Sequence, residues 1–260
     1  MTRPVESIAL ISDVHGNIPA LEAVLKDIRS RRIERIFCLG DLVGKGPEPD
    51  KAVDICRDMC EKIVMGNWDS SIADKHRSRP APEWMQRILD WYRQKIGAAR
   101  IDYLEHLPGT IDFLMSGRKV RLLHASPQGV YHRVFHNDTV EKQLAMFENT
   151  EFTGNGFIPD IVGYADIHFA FQTAYGNKIL FNVGSVGNPL DQPLACYCIL
   201  EGHYSSEAPA PFSLSLVRLP YDIDLAVKRA YDSGMPEIKQ WEDELRTARY
   251  RLLKPDGTLK

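Results

Sequence analysis

The sequence contains no run approaching the roughly 18 apolar residues that a membrane-spanning helix requires. Met1 to Glu6 carry no apolar leader segment. No membrane association is expected, and the cytoplasm is the expected compartment. Blocks of Lys and Arg are missing too: the basic clusters stop at Arg29, Arg31 and Arg32 and at Arg77 and Arg79, and 32 basic residues stand against 35 acidic ones. That balance excludes a dedicated nucleic-acid binder, whose affinity rests on neutralising phosphates. The cysteines lack a pairing pattern. Cys38, Cys56, Cys60, Cys196 and Cys198 are odd in number and match no zinc-ribbon or redox spacing, so free thiols in a reducing compartment are expected. No linker divides the chain; residues 202–211 read as a surface loop. With 260 residues, 44% of them hydrophobic, the chain can bury a core without cross-links. One domain over 1–260, with a helical C-terminal segment at about 222–250, is the simplest reading.

What is present is a series of short apolar runs that each end in polar residues. Residues 7–11 suit a buried strand that stops at Ser12-Asp13. Leu21, Val24, Leu25 and Ile28 then recur at helical spacing behind Pro19, which suits a first helical turn. Residues 35–39 form a second strand, broken by Gly40-Asp41; 49–60 read as a helix and 62–65 as a third strand, ending at Gly66-Asn67. Three strand–loop–helix units predict a parallel sheet with right-handed crossovers, whose ligand sites lie beyond the carboxyl ends of the strands. Residues 82–100 predict an amphipathic helix with Trp84, Ile88, Trp91 and Tyr92 on its apolar face. Residues 111–115 and 119–123 flank a Ser116-Gly117 turn as a hairpin. Further strands are expected at 160–162, 169–175, 178–181, 194–200 and 212–219. Helical periodicity returns at 222–250.

The polar residues at these strand ends carry the chemistry. Asp13 and His15 follow the first strand, Asp41 the second, Asn67 and Asp69 the third, and His124 a later one. Any one of them is explained as a turn or cap residue. Together they put oxygen and nitrogen donors on one edge, the mixture that hard and borderline divalent cations need. A carboxylate such as Asp41 can bridge two metals, which suits phosphoryl chemistry.

In this order, Asp13-Val14-His15-Gly16-Asn17, Gly40-Asp41-Leu42-Val43-Gly44, Gly66-Asn67-Trp68-Asp69 and His124-Ala125-Ser126-Pro127 resemble the calcineurin-like metallophosphoesterases, closest to their small bacterial and archaeal branch. The segment Asn182-Val183-Gly184-Ser185-Val186-Gly187-Asn188-Pro189 resembles that branch as well. The resemblance implies a four-layer α/β/β/α sandwich of two mixed sheets flanked by helices. It implies a dinuclear site: Asp13 and His15 on a first metal, Asp41 bridging, Asn67 and His124 on a second, and Asp69 orienting a neighbouring side chain. The implied reaction is hydrolysis of phosphomonoesters or phosphodiesters by in-line attack of a metal-bridging hydroxide, with Asp41, Asn67, Asp69 and His124 as the catalytic set. The implied partner is a small phosphoester, nucleotides included.

Three positions depart from the family pattern. Trp68 stands where the family has a histidine that assists the leaving group. In place of the closing Gly-His-x-His the chain reads Gly163-Tyr164-Ala165-Asp166-Ile167-His168. Asp166 is therefore expected on the first metal and Tyr164 within reach of the second, although a phenol of pKa about 10 ligates only a strongly Lewis-acidic ion. Oxygen donors in place of imidazoles favour manganese or iron, with zinc a further option. Trp68, His132 and His168 are the candidates for substrate contact, His168 also for a replacement ligand, and His136 lies in the same loop as His132. The alternative function is a metal- or phosphate-ligand-binding sensor that keeps the fold without efficient turnover.

Overall fold

The computed structural model describes residues 5–74 and 82–250; Arg77 and Arg79 lie outside the described residues. Its first strand, β1 (Glu6–Ile11), already sets the layering. Ile8 and Leu10 point to one side and Ala9 and Ile11 to the other, and all four are fully buried. A strand that is apolar on both faces has to be covered on both.

One cover comes from helices. The segments α1 (Ile18–Ser30), β2 (Arg35–Cys38), α2 (Pro49–Met59) and β3 (Lys62–Ile63) follow β1 in turn. β1, β2 and β3 pair in parallel, as three strand–helix units require. A six-residue helix, α3 (Asn67–Ile72), follows the third strand. The helix expected at 82–100 is two, α4 (Glu83–Ile96) and α5 (Ala98–Glu105), because Gly97 between them adopts φ 75° and ends the first. Ile88 and Tyr92 are buried as predicted and Trp91 half-buried, while the Trp84 side chain lies outside the description.

The other cover is a second sheet. β4 (Thr110–Met115) and β5 (Arg118–Leu123) form the hairpin over Ser116-Gly117, both at positive φ as a tight turn demands. After α6 (Val140–Leu144) come β6 (Ile161–Tyr164), β7 (Phe171–Tyr175) and β8 (Lys178–Asn182). Next, β9 (Ala195–Gly202) and β10 (Ser213–Leu219) return to the first sheet, and α7 (Ile223–Ser233) and α8 (Ile238–Thr247) close the described chain. Strand order is β10-β9-β1-β2-β3 in one sheet and β4-β5-β6-β8-β7 in the other, each mixing parallel and antiparallel pairs. Between the sheets Leu10, Phe37 and Cys198 meet Phe113, Leu122 and Phe181. α1, α2, α4 and α5 cover the outer face of the first sheet. The outer face of the second carries α6 and a single 3-10 turn around Met146 and Phe147. This is the α/β sandwich of two mixed sheets. Among the described residues no helix is long and apolar enough to cross a membrane. The five cysteines are free, and burial pushes the Cys38 and Cys198 thiols up.

The loop after β2 is packed without slack. Gly40 sits at φ 90°, and a Cβ there would lie 2.5 Å from the Gly66 nitrogen. Gly40→Ala should therefore destabilise by more than about 2 kcal/mol, through combined strain and overlap. Cys38→Ala, which only removes a buried sulfur, should cost nearer the common value of about 1 kcal/mol. Equal denaturant midpoints for the two variants would contradict this packing.

Candidate metal centre

Five loops at the carboxyl ends of strands converge on one pit. Asp13 and His15 follow β1, Asp41 follows β2, Asn67 opens α3 after β3, His124 follows β5, and Asp166 and His168 follow β6. The loops are bonded to one another rather than only to themselves. Asp13 N–H donates to the Gly40 carbonyl (2.9 Å), His15 N–H to Asp41 (3.0 Å) and Gly16 N–H to Leu42 (3.1 Å). From the other side, Val186 N–H donates to Ser12 and Gly187 N–H and Ser185 Oγ to Asp13, each at 2.9 Å. Gly187 has no room for a side chain, since a Cβ would lie 1.8 Å from the Val14 oxygen. The 182–189 segment is thus a brace for the first loop.

Asp13, His15, Asp41, Asp166 and His168 all have left-handed backbones, with φ between 50° and 61°. Such conformations cost of order 1–3 kcal/mol each and persist only where surrounding bonds impose them. Their concentration in one pit marks it as the candidate functional site.

The three imidazoles share one orientation. Nδ1 of His15, His124 and His168 lies 2.9, 2.7 and 2.5 Å from the backbone oxygens of Val43, Leu39 and Asn188. A carbonyl only accepts, so Nδ1 carries a proton and Nε2 faces the pit, where it offers a lone pair whenever the ring is neutral. There Nε2 of His168 lies 3.1 Å from Asp13 Oδ1 and 3.2 Å from Nε2 of His15. Nε2 of His15 lies 3.6 Å from Asp41 Oδ2, and Nε2 of His124 lies 3.5 Å from Asp41 Oδ1 and 3.9 Å from Asp166 Oδ1. Two groups with metal-binding spacing result: Asp13, His15 and His168, and Asp13, Asp41 and His124.

These donors fit cations. Both Asp13 carboxylate oxygens, Asn67 Oδ1 and His124 Nε2 are buried and complete no hydrogen bond, although native interiors satisfy nearly all such atoms. The buried groups also shift one another. Burial raises the Asp13 carboxyl, but His168, His124 and His15 outweigh it and hold it below the usual carboxylate range. Burial pushes the Asp41 carboxyl up, helped by Asp69 and Asp13. Burial, with His168 and Lys45, holds His15 well below the usual imidazole range. Burial lowers His124 too, but Asp41, Asp13 and Asp166 reverse that and raise it to about 9.

Three expectations change. Tyr164 does not face the pit: as the last residue of β6 it shares the outer face with Val162, fully buried, and its hydroxyl donates to the Val134 carbonyl at 2.9 Å. His168, offered above as a substrate contact or a replacement ligand, is the residue that reaches Asp13 and His15. Asp166 lies instead beside His124 and accepts from Asn67 Nδ2 (2.9 Å) and from Arg133. Asp69, expected to be catalytic, turns its carboxylate to the backbone N–H groups of Asp41 (2.8 Å), Leu42 (3.0 Å), Val43 (3.4 Å) and Gly66 (2.9 Å). It positions the Asp41 loop and caps α3.

Trp68 borders the pit, its backbone N–H donating to Asp41 Oδ1 (2.8 Å) and its ring edge-on to His15 at 6.4 Å. His132 is exposed, with Nδ1 3.1 Å from Ser126 Oγ, and His136 stacks on Phe169 at 4.0 Å. Arg133, between those two histidines, and the chain Asn188–Lys45–Glu244 escaped the sequence reading. Asn188 Oδ1 accepts from Lys45 Nζ (2.5 Å), which also lies 3.4 Å from the buried Glu244 of α8. No local pattern ties a helix near the C-terminus to a loop at residue 45.

The family model for the calcineurin-like phosphoesterase superfamily domain matches residues 7–204. The chain is also 32% identical, over 245 residues, to an uncharacterized protein of Methanocaldococcus jannaschii, an alignment covering 88% of this chain and 94% of that protein. It therefore belongs to the calcineurin-like phosphoesterase superfamily. Its fold is similar to that of a metallophosphoesterase from Sphaerobacter thermophilus, with a TM-score of 0.73, 22% identity and coverage of 94% of this chain and 99% of that one. A hypothetical protein from Pyrococcus horikoshii gives the same TM-score at 17% identity, covering 94% and 98%.

Two substitutions test the placement of donors. Tyr164→Phe strands the buried Val134 carbonyl and should cost about 1–3 kcal/mol of stability, with metal content unchanged. His168→Ala should lower metal content instead. Metal analysis beside denaturant unfolding reads both, and the opposite pattern would return Tyr164 to the site.

Proposed function

We propose that this protein is a metal-dependent phosphoester hydrolase that acts on a small phosphomonoester or phosphodiester. The observation that supports this best is the set of orphaned donor atoms, Asp13 Oδ1 and Oδ2, Asn67 Oδ1 and His124 Nε2, buried at two donor groups that meet at Asp13. Asp13, His15, Asp41 and His168 would hold a first cation, and Asp41, Asn67, His124 and Asp166 a second. Cations bound there neutralise the phosphate and lower the pKa of water. The remaining work belongs to the chain. Val43, Leu39 and Asn188 fix the three rings through their carbonyls, and Asp69 fixes the loop that carries Asp41. Three of the four places at the second cation, those of Asp41, Asn67 and Asp166, would be side-chain oxygens, beside one imidazole. This oxygen-rich set favours manganese or iron over zinc at that position.

Trp68 shapes the substrate range. General acid assistance contributes about 10²–10⁴-fold, and an indole N–H is no acid. Aryl phosphates and phosphodiesters, whose leaving groups are stable unassisted, should be hydrolysed far faster than simple alkyl esters, and Trp68→His should raise the alkyl rate more than the aryl rate. The deciding experiment is a panel of nitrophenyl and alkyl phosphoesters with manganese-loaded protein and with the Asp41→Asn variant. Hydrolysis abolished by that variant and by chelator supports the reading. Tight metal binding with no turnover of any ester would instead identify a sensor.

A further inference from the structure

Asp166 is claimed twice. Its carboxylate stands beside the second donor group, yet both of its oxygens are already held by a guanidinium. Arg133 Nε donates to Oδ2 at 2.7 Å and Nη2 to Oδ1 at 2.8 Å, a fork-on-fork pair. Oδ1 is also the oxygen that accepts from Asn67 Nδ2 and that lies 3.9 Å from His124 Nε2. The oxygen facing the second position is thus the one shared with Arg133. The carboxylate is buried, whereas the Arg133 side chain is 39% exposed.

The first donor group differs in kind. The nearest basic neighbours of Asp13 are the imidazoles of His15 and His168, whose Nε2 atoms lie 3.8 and 3.1 Å from its Oδ1. An imidazole nitrogen can itself become a ligand to an arriving ion. A guanidinium cannot, since it stays charged and has no lone pair to offer. A cation arriving at Asp13 finds partners, and a cation arriving at Asp166 finds a resident competitor.

We propose that Arg133 is a built-in competitor for the second metal position. It makes that position the weaker of the two, so that hydrolysis follows the supply of free cation. This rests on the dinuclear reading above and adds an ordering to it: the first position fills before the second. By linkage, whatever draws Arg133 off Asp166 tightens the second site, and a filled second site loosens Arg133.

The test is a titration of the full chain, stripped by chelator, with Mn²⁺ at fixed pH and ionic strength. Equilibrium dialysis counts bound ions, and electron paramagnetic resonance separates isolated from paired ones. The unmodified protein should bind two ions in distinct steps. Arg133→Ala should tighten the second step by at least about tenfold and leave the first within about twofold. Arg133→Lys, which keeps the charge but loses the fork, should fall between. Circular dichroism and a melting curve verify folding, and Arg133→Gln replaces the alanine variant if that one fails. A second step unchanged or weakened in the variants overturns the proposal and makes Arg133 a positioning residue for Asp166. Two equal steps in the unmodified protein overturn it as well. In both cases the dinuclear reading survives. Failure of the unmodified protein to bind Mn²⁺ overturns that reading and this one together.

Discussion

The structure depends on keeping carboxylates out of water without giving all of them partners. Asp13, Asp41 and Asp166 are buried in one pit with three imidazoles, and both Asp13 oxygens complete no hydrogen bond. Burying an ion costs several kcal/mol even after relaxation. Nothing in the core requires that cost, and the strained backbones of five pit residues add to it. Both make sense if the pit exists to hold cations, with the stability of the two sheets offsetting the expense. The interlocked loops are the corollary: charges that repel one another stay in place only when their backbones are tied to different strands.

Those ties come in three kinds. Carbonyl groups at strand ends fix the rings, Asp69 gathers four N–H groups to hold the Asp41 loop, and the 182–189 segment braces the first loop from the second sheet. The C-terminal helix α8 joins this support through Glu244, Lys45 and Asn188, the residue whose carbonyl orients His168. Helices α7 and α8 lie beyond the span of the family model. They are nonetheless connected to the pit.

Much of this was legible in the sequence, because strand ends are. Apolar runs stopping at Asp13, Asp41, Asn67 and His124 implied one edge, and three strand–helix units implied the parallel core. The closing segment was not legible. Tyr164 and Asp166 occupy the places of family ligands, but β6 runs through Tyr164 and its alternation turns that ring outward. His168, two residues past Asp166 and again left-handed, fills the vacated role. The strand ends at Tyr164 rather than at residue 162, and periodicity does not locate strand ends so closely. Asp69 was read as acting on a side chain because sequence says nothing of which amides a carboxylate will find. Arg133 went unnoticed because an arginine in a polar loop has no pattern; only its approach to Asp166 gives it meaning.

The central claim is that the pit holds two cations, with His168 on the first and Asp166 on the second. A crystal structure of manganese-soaked protein, with ions located by anomalous scattering at the manganese edge, measures this directly. The account predicts two peaks sharing Asp41, one bonded to His15 and His168 and the other to His124 and Asp166. A single peak, or a peak bonded to Tyr164, would contradict it.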